Sequence, residues 1–101
     1  MSVVVTVRIP VADVAAAIEG LQGRGEFLGK ISEIAKGSGM LHHRFVAGDG
    51  EIIALDEFET AEQFQSFFDA NSEIADVMAS IGMTGPPTVS VYQAFDAPGT
   101  L

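Results

Sequence analysis

The chain is 101 residues long, 48% hydrophobic and 19% charged, which bounds it to a single domain with a packed core and excludes wholesale disorder. Fourteen acidic residues against five basic ones give a net charge of −9, leaving no basic patch for nucleic acid or for an anionic membrane surface. There is no cysteine, so disulfides, thiolate catalysis and cysteine-held metals are excluded.

The mean hydropathy of +0.32 is high for a small domain, whose surface is largely wet. A second copy of the chain is the simplest cover for the excess, so a homodimer is expected. Met1-Ser2 followed by Val3–Val7 has neither the basic start nor the cleavage motif of a signal peptide. No apolar run reaches the roughly 18 residues of a membrane span, and a cytoplasmic location is the expectation.

Val3 to Ile9 is rich in β-branched residues and predicts a strand buried on both faces, ended by Pro10. Val11 to Leu21 predicts a helix, with Val14, Ala17, Ile18 and Leu21 at helical spacing. Gly20, Gly23 and Gly25 weaken it, and Phe27, Leu28, Ile31, Ile34 and Ala35 resume the period. The first helix therefore breaks near Gly23–Gly25, as a corner or as a lid, and its second part ends at Gly37-Ser38-Gly39.

Met40 to Val46 and Glu51 to Phe58 predict a hairpin around Asp49-Gly50, a type I′ turn signal. Pairing Gly48 with Glu51 sets His43 opposite Asp56, Leu41 opposite Phe58 and Phe45 opposite Ala54 on one face. His42 then meets Glu57, and Arg44 meets Leu55, on the other. A three-residue loop would instead bring His42 opposite Asp56. The first register is preferred because Leu41, His43 and Phe45 then share a face with Ile52, Ala54 and Phe58.

Thr60-Ala61-Glu62-Gln63 fits a capping box, and Phe64, Phe67 and Phe68 form the apolar stripe of the helix it opens. Asp69–Ser72 predicts a corner. Ile74, Val77, Met78 and Ile81 continue a short helix closed by Gly82, and Thr88 to Phe95 is the last strand. The order β-α-β-β-α-β is the ferredoxin-like arrangement of the α+β class: a four-stranded antiparallel sheet with its helices on one face. Ile53 and Leu55 lie on the other face, which two sheets packed together would cover.

The run Leu-Asp-Glu-Phe-Glu-Thr-Ala-Glu-Gln-Phe at Leu55–Phe64 resembles the strand-to-helix signature of the dimeric α/β-barrel superfamily, and within it the antibiotic-biosynthesis-monooxygenase-like proteins. Asp56, Phe58, Thr60 and Glu62 occupy the places of its acidic, aromatic, hydroxyl and acidic residues. The resemblance implies a homodimer with a ligand pocket between the sheet and the helices of one subunit. It implies a cofactor-free oxygenase, a haem-degrading enzyme, a lactone isomerase or a protein without activity. Phe58 replaces the usual Trp, Phe67 stands where many members place His, and the first strand has no Asn, so haem degradation is not expected.

His43 and Asp56 are the expected catalytic pair, because a carboxylate beside an imidazole orients it and can make it a general base. The alternative is a mutually satisfied polar pair at a sheet edge. Phe45, Phe58, Phe64, Phe67 and Tyr92 are the expected substrate-binding residues, with ordinary core packing as the alternative for the phenylalanines. Two adjacent histidines on a strand face opposite ways, so no metal site is predicted, and no phosphate loop points to a nucleotide cofactor. A cofactor-independent oxygenase-like or isomerase-like enzyme for an apolar or aromatic compound is the expectation. The second is a binding or interaction module without turnover. A cavity of roughly 300 Å³ or more on the His43 face favours a ligand, and a solid core favours the module.

Overall fold

β1 (Val3–Pro10) runs through the middle of the molecule, and its residues alternate in burial. Val5, Val7 and Ile9 are buried, Val4 and Thr6 are half-buried, and Arg8 is exposed. The sequence predicts burial on both faces, but in the single chain helices cover only one of them. The computed structural model describes residues 1–101. The sheet order is β2-β3-β1-β4 with every pairing antiparallel, where β2 is Met40–Gly48, β3 is Glu51–Phe58 and β4 is Thr88–Gln93. The four helices lie over the face that carries Val5, Val7, Ile9, Ile52, Ala54 and Phe58. This is the ferredoxin-like arrangement with each of its two helices split in two.

α1 (Val14–Gln22) starts three residues later than the periodicity predicts. Val11 is held extended, bridged to Met83 and donating its N–H to the Gly50 carbonyl at 3.0 Å. Asp13 then caps the helix, its carboxylate accepting from the Ala16 N–H at 3.0 Å. The glycine-rich stretch is a corner at Gly23-Arg24, after which α2 (Gly25–Gly37) begins. The Arg24 guanidinium ties that corner to Ser80 Oγ at 2.7 Å.

The β2–β3 hairpin has Gly48 opposite Glu51, Phe45 opposite Ala54 and His43 opposite Asp56. Two details differ from expectation. The turn is not type I′, because only Gly50 has positive φ, at 70°, and Asp49 keeps a negative one. One glycine suffices for a turn with the φ signs of type II, and Asp49 avoids the left-handed region that side chains disfavour. At the other end a bulge lies between Met40 and His42, so Met40 rather than Leu41 pairs with Phe58. The extra residue turns Leu41 out, 47% exposed, and Met40 in against the core.

α3 (Ala61–Ala70) opens on the expected capping box: Gln63 N–H donates to Thr60 Oγ1 at 3.2 Å, and Thr60 N–H to Gln63 Oε1 at 3.0 Å. The Gln63 amide lies against Gly39, where φ is 100° and an added Cβ would fall 2.5 Å from it. α4 (Glu73–Ser80) follows a corner in which Asn71 Nδ2 donates to the Phe67 carbonyl at 2.7 Å. β4 ends at Gln93, two residues short of the predicted Phe95, which is exposed. No helix is long and apolar enough to cross a membrane.

The second sheet face, assigned by strand alternation and register, carries Val4, Thr6, Ile53, Leu55, Val46 and Tyr92. Polar groups border it: Arg8 donates from Nε and Nη2 to the Glu51 carboxylate at 3.0 and 3.2 Å, and Ser2 Oγ donates to Glu57. Through that hydrogen bond first and its charge second, Glu51 raises the Arg8 pKa further above its ordinary value.

Phe58 is fully buried at the end of β3, edge-on to Phe64 at 5.6 Å and tilted against Phe67 at 5.8 Å. Phe58→Ala is expected to lower the unfolding free energy by about 3–5 kcal/mol, through lost burial and the cavity left behind. A urea denaturation midpoint displaced by less than the equivalent of about 1 kcal/mol would contradict this placement.

Candidate functional site

Asp56 is the one charged residue buried in the core, at 7% exposure, midway along the inner strand β3. An ionised carboxylate is costly to bury without a partner. Its partner is His43 on the neighbouring strand, with Nδ1 and Oδ1 2.5 Å apart. The carboxylate can only accept, so Nδ1–H donates, and in the neutral ring Nε2 is left with the free lone pair. The imidazole is also held by Phe45, two residues along the same face of β2, whose ring stands edge-on to it with centroids 4.7 Å apart. The geometry thus fixes both the orientation and the tautomer of the ring.

Both members of the pair line a cavity of about 80 Å³ between the sheet and the helices. Of its 16 lining residues 13 are hydrophobic, and the exceptions are His43, Asp56 and Ser32. The sheet contributes Val7, Ile9, Phe45 and Ala54; α2 contributes Phe27, Leu28 and Ile31; α3 ends over it with Phe68; Ile74, Val77 and Met78 come from α4. The volume is well below the roughly 300 Å³ expected of a site for a drug-sized ligand. A second, more open groove of about 460 Å³ adjoins it at the α1–α2 corner and shares Leu21, Leu28 and Phe45 as walls.

The expected substrate-binding residues divide. Phe45 lines the cavity. Phe58, Phe64 and Phe67 do not: they are buried against one another beyond it, in the seam between β3 and α3. Phe68, one residue further on α3, takes the wall position and touches Phe64 with centroids 5.6 Å apart. Tyr92 lies on the opposite sheet face, because β4 pairs it with Val4, and it is 57% exposed. Ser32 was not anticipated. Its spacing of four from Leu28 places the two on one helix face, a signal readable in the sequence.

His42, Arg44 and Glu57 fall on the second sheet face, as the preferred register requires. No cluster of three or more His, Asp or Glu side chains is placed to hold a metal ion.

No family model matches the sequence, and no curated protein is similar enough to match it. Solved structures do match over nearly the whole chain. A monooxygenase of Streptomyces coelicolor, determined in complex with nanaomycin D, has a TM-score of 0.74 at 19% identity, over 95% of this chain and 89% of its own. A dimeric ferredoxin-like protein from an uncultured marine organism gives 0.72 at 8% identity, over 95% and 90%. SnoaB, a cofactor-independent oxygenase of Streptomyces nogalater, gives 0.66 at 10% identity, over 98% of each chain. The chain has the fold of the antibiotic-biosynthesis-monooxygenase-like proteins. At these identities the likeness is one of backbone, and the side chains of the site are this chain's own.

His43→Ala leaves Asp56 buried without its partner and is expected to destabilise the fold by about 1–3 kcal/mol. His43→Leu combined with Asp56→Leu removes both polar groups and is expected to cost less than the two single changes together, with a coupling of about 0.5–3 kcal/mol. Additive costs in a denaturant double-mutant cycle would mean that the two side chains do not depend on each other.

Proposed function

We propose that the protein is a cofactor-independent enzyme of the oxygenase or isomerase kind, acting on an apolar or aromatic small molecule between sheet and helices. The observation that carries this reading is an imidazole oriented by a buried carboxylate at the wall of a mostly apolar cavity. His43 Nε2 would take a proton from the substrate, and Asp56 would hold the ring while it carries that charge. Phe45 and the helical walls would orient the ring and exclude water. In the oxygenase form, the deprotonated carbon of an electron-rich ring system reduces dioxygen itself. One oxygen atom replaces two substrate hydrogens as a carbonyl, and the other leaves as water. The cofactor-independent oxygenase among the similar structures supports the class of reaction at the level of fold.

The non-catalytic reading, a small-ligand or interaction module, draws on one observation, the cavity volume of about 80 Å³. Turnover separates the two. With a panel of mono- to tricyclic phenols and aryl ketones under air, oxygen uptake or a change in ring absorbance is expected for the wild type. The rate should fall by about 10²–10⁴ in His43→Gln, the usual contribution of a general base. Equal rates in the two proteins would remove His43 from the chemistry.

We propose further that the protein is a homodimer joined through its second sheet faces. Val4, Ile53 and Leu55 are only half-buried in the single chain, and Val46 and Tyr92 are exposed beside them. Sedimentation equilibrium at micromolar concentration is expected to give the dimer mass. Ile53→Asp is expected to yield a monomer or an unfolded chain, because a charge without a partner would be buried. A monomeric wild type would remove the barrel.

A further inference from the structure

Ser32 is the third polar residue of the cavity, and the acid–base reading gives it no part. It lies on α2, which packs over β2, the strand that carries His43. Ser32 is half-buried, and its hydroxyl makes no hydrogen bond within the chain but stays open to solvent, since Arg24 Nε is the one buried side-chain nitrogen or oxygen without a partner. Serine hydroxyls within or at the end of a helix ordinarily bond back to a carbonyl three or four residues earlier. Ser38 Oγ donates to the Ile34 carbonyl at 3.0 Å, and Ser80 Oγ to the Val77 carbonyl at 2.7 Å. Ser66 has no such bond either, but it is exposed on α3 and does not line the cavity. Ser32 alone of these combines an unpartnered hydroxyl with an apolar cavity.

Water satisfies a hydroxyl that is open to solvent, and a ligand that displaces the water loses affinity unless it replaces the hydrogen bond. A ligand with an oxygen on an apolar ring would do so, and it would meet a hydroxyl that has no competing partner in the chain.

Resting on the proposed function, we infer that Ser32 is a ligand-contacting residue that receives an oxygen of the substrate, so that the site selects hydroxylated or carbonyl-bearing rings over bare hydrocarbons. Leu28 and Ile31 on the same helix hold the apolar part of the ring. His43 and Asp56 act from the sheet side, and Ser32 acts from the helix side. A hydroxyl can donate to a carbonyl or phenolate oxygen and accept from a phenol. It therefore fits both the substrate and a ring made more negative by proton loss.

The test uses phenol and benzene as probes, because they differ only in the oxygen. Binding is followed by amide and methyl chemical shifts of the cavity residues in wild type, Ser32→Ala and His43→Gln. Alanine is a better helix former than serine, so the first variant keeps α2. Wild type is expected to bind phenol about three- to tenfold more tightly than benzene, the range of one hydrogen bond. Ser32→Ala should abolish that preference while leaving benzene binding unchanged, an outcome a merely structural role would not give. A preference that survives Ser32→Ala but is lost in His43→Gln would overturn the role of Ser32 and leave the site reading standing. Equal binding of the two probes by wild type would likewise overturn it. No shift of the cavity resonances with either probe would overturn both readings.

Discussion

A slip of one residue in the pairing of β2 with β3 would turn every side chain of one strand to the other face of the sheet. The candidate site depends on that register more than on any other feature. It places His43 against Asp56 inside the helix-covered face and sends His42, Arg44 and Glu57 to the other. Gly50 sets it at the turn end, through the one positive φ that the tight connection needs. The buried partners of β3, Ile52, Ala54 and Phe58, hold it along its length.

Asp56 is costly within this frame, and the frame explains why it is tolerated. An uncompensated carboxylate among Val5, Ala54 and Phe58 would oppose folding. The His43 hydrogen bond compensates it, and the imidazole in turn is fixed between Asp56 and the edge of Phe45. Buried ion pairs are often no more stabilising than well-packed hydrophobic residues of the same volume. The proposed function gives this pair, which ties the edge strand β2 to β3, a role beyond stability.

Much of this was legible in the sequence. Alternation and period gave all four strands and the split helices, the capping box at Thr60 marked the start of α3, and the preferred register placed His43 on Asp56. Other features were not legible. A bulge leaves no trace in composition, so Leu41 was assigned the place that Met40 holds. Asp13 was passed over as a cap because Val11 and Ala12 suit a helix locally, and only the contacts of Val11 with Gly50 and Met83 keep it extended. The phenylalanine stripe was read as one surface. Which of its rings face the cavity depends on the rotation of α3 against β3, a tertiary fact that places Phe68 at the wall and Phe64 and Phe67 behind it.

The lining of the cavity is divided by element. The sheet supplies the His43–Asp56 pair, fixed by backbone register, while half of the other fourteen lining residues come from α2 and α4. Helix residues such as Ile31, Ile74 and Val77 can change size without disturbing a strand pairing or the buried hydrogen bond. Under the proposed function, selection could reshape what fits while leaving the His43–Asp56 pair untouched, which is a route by which one scaffold diversifies across many compounds. The converse change is harder. Moving the pair would require a new register, and with it a new core.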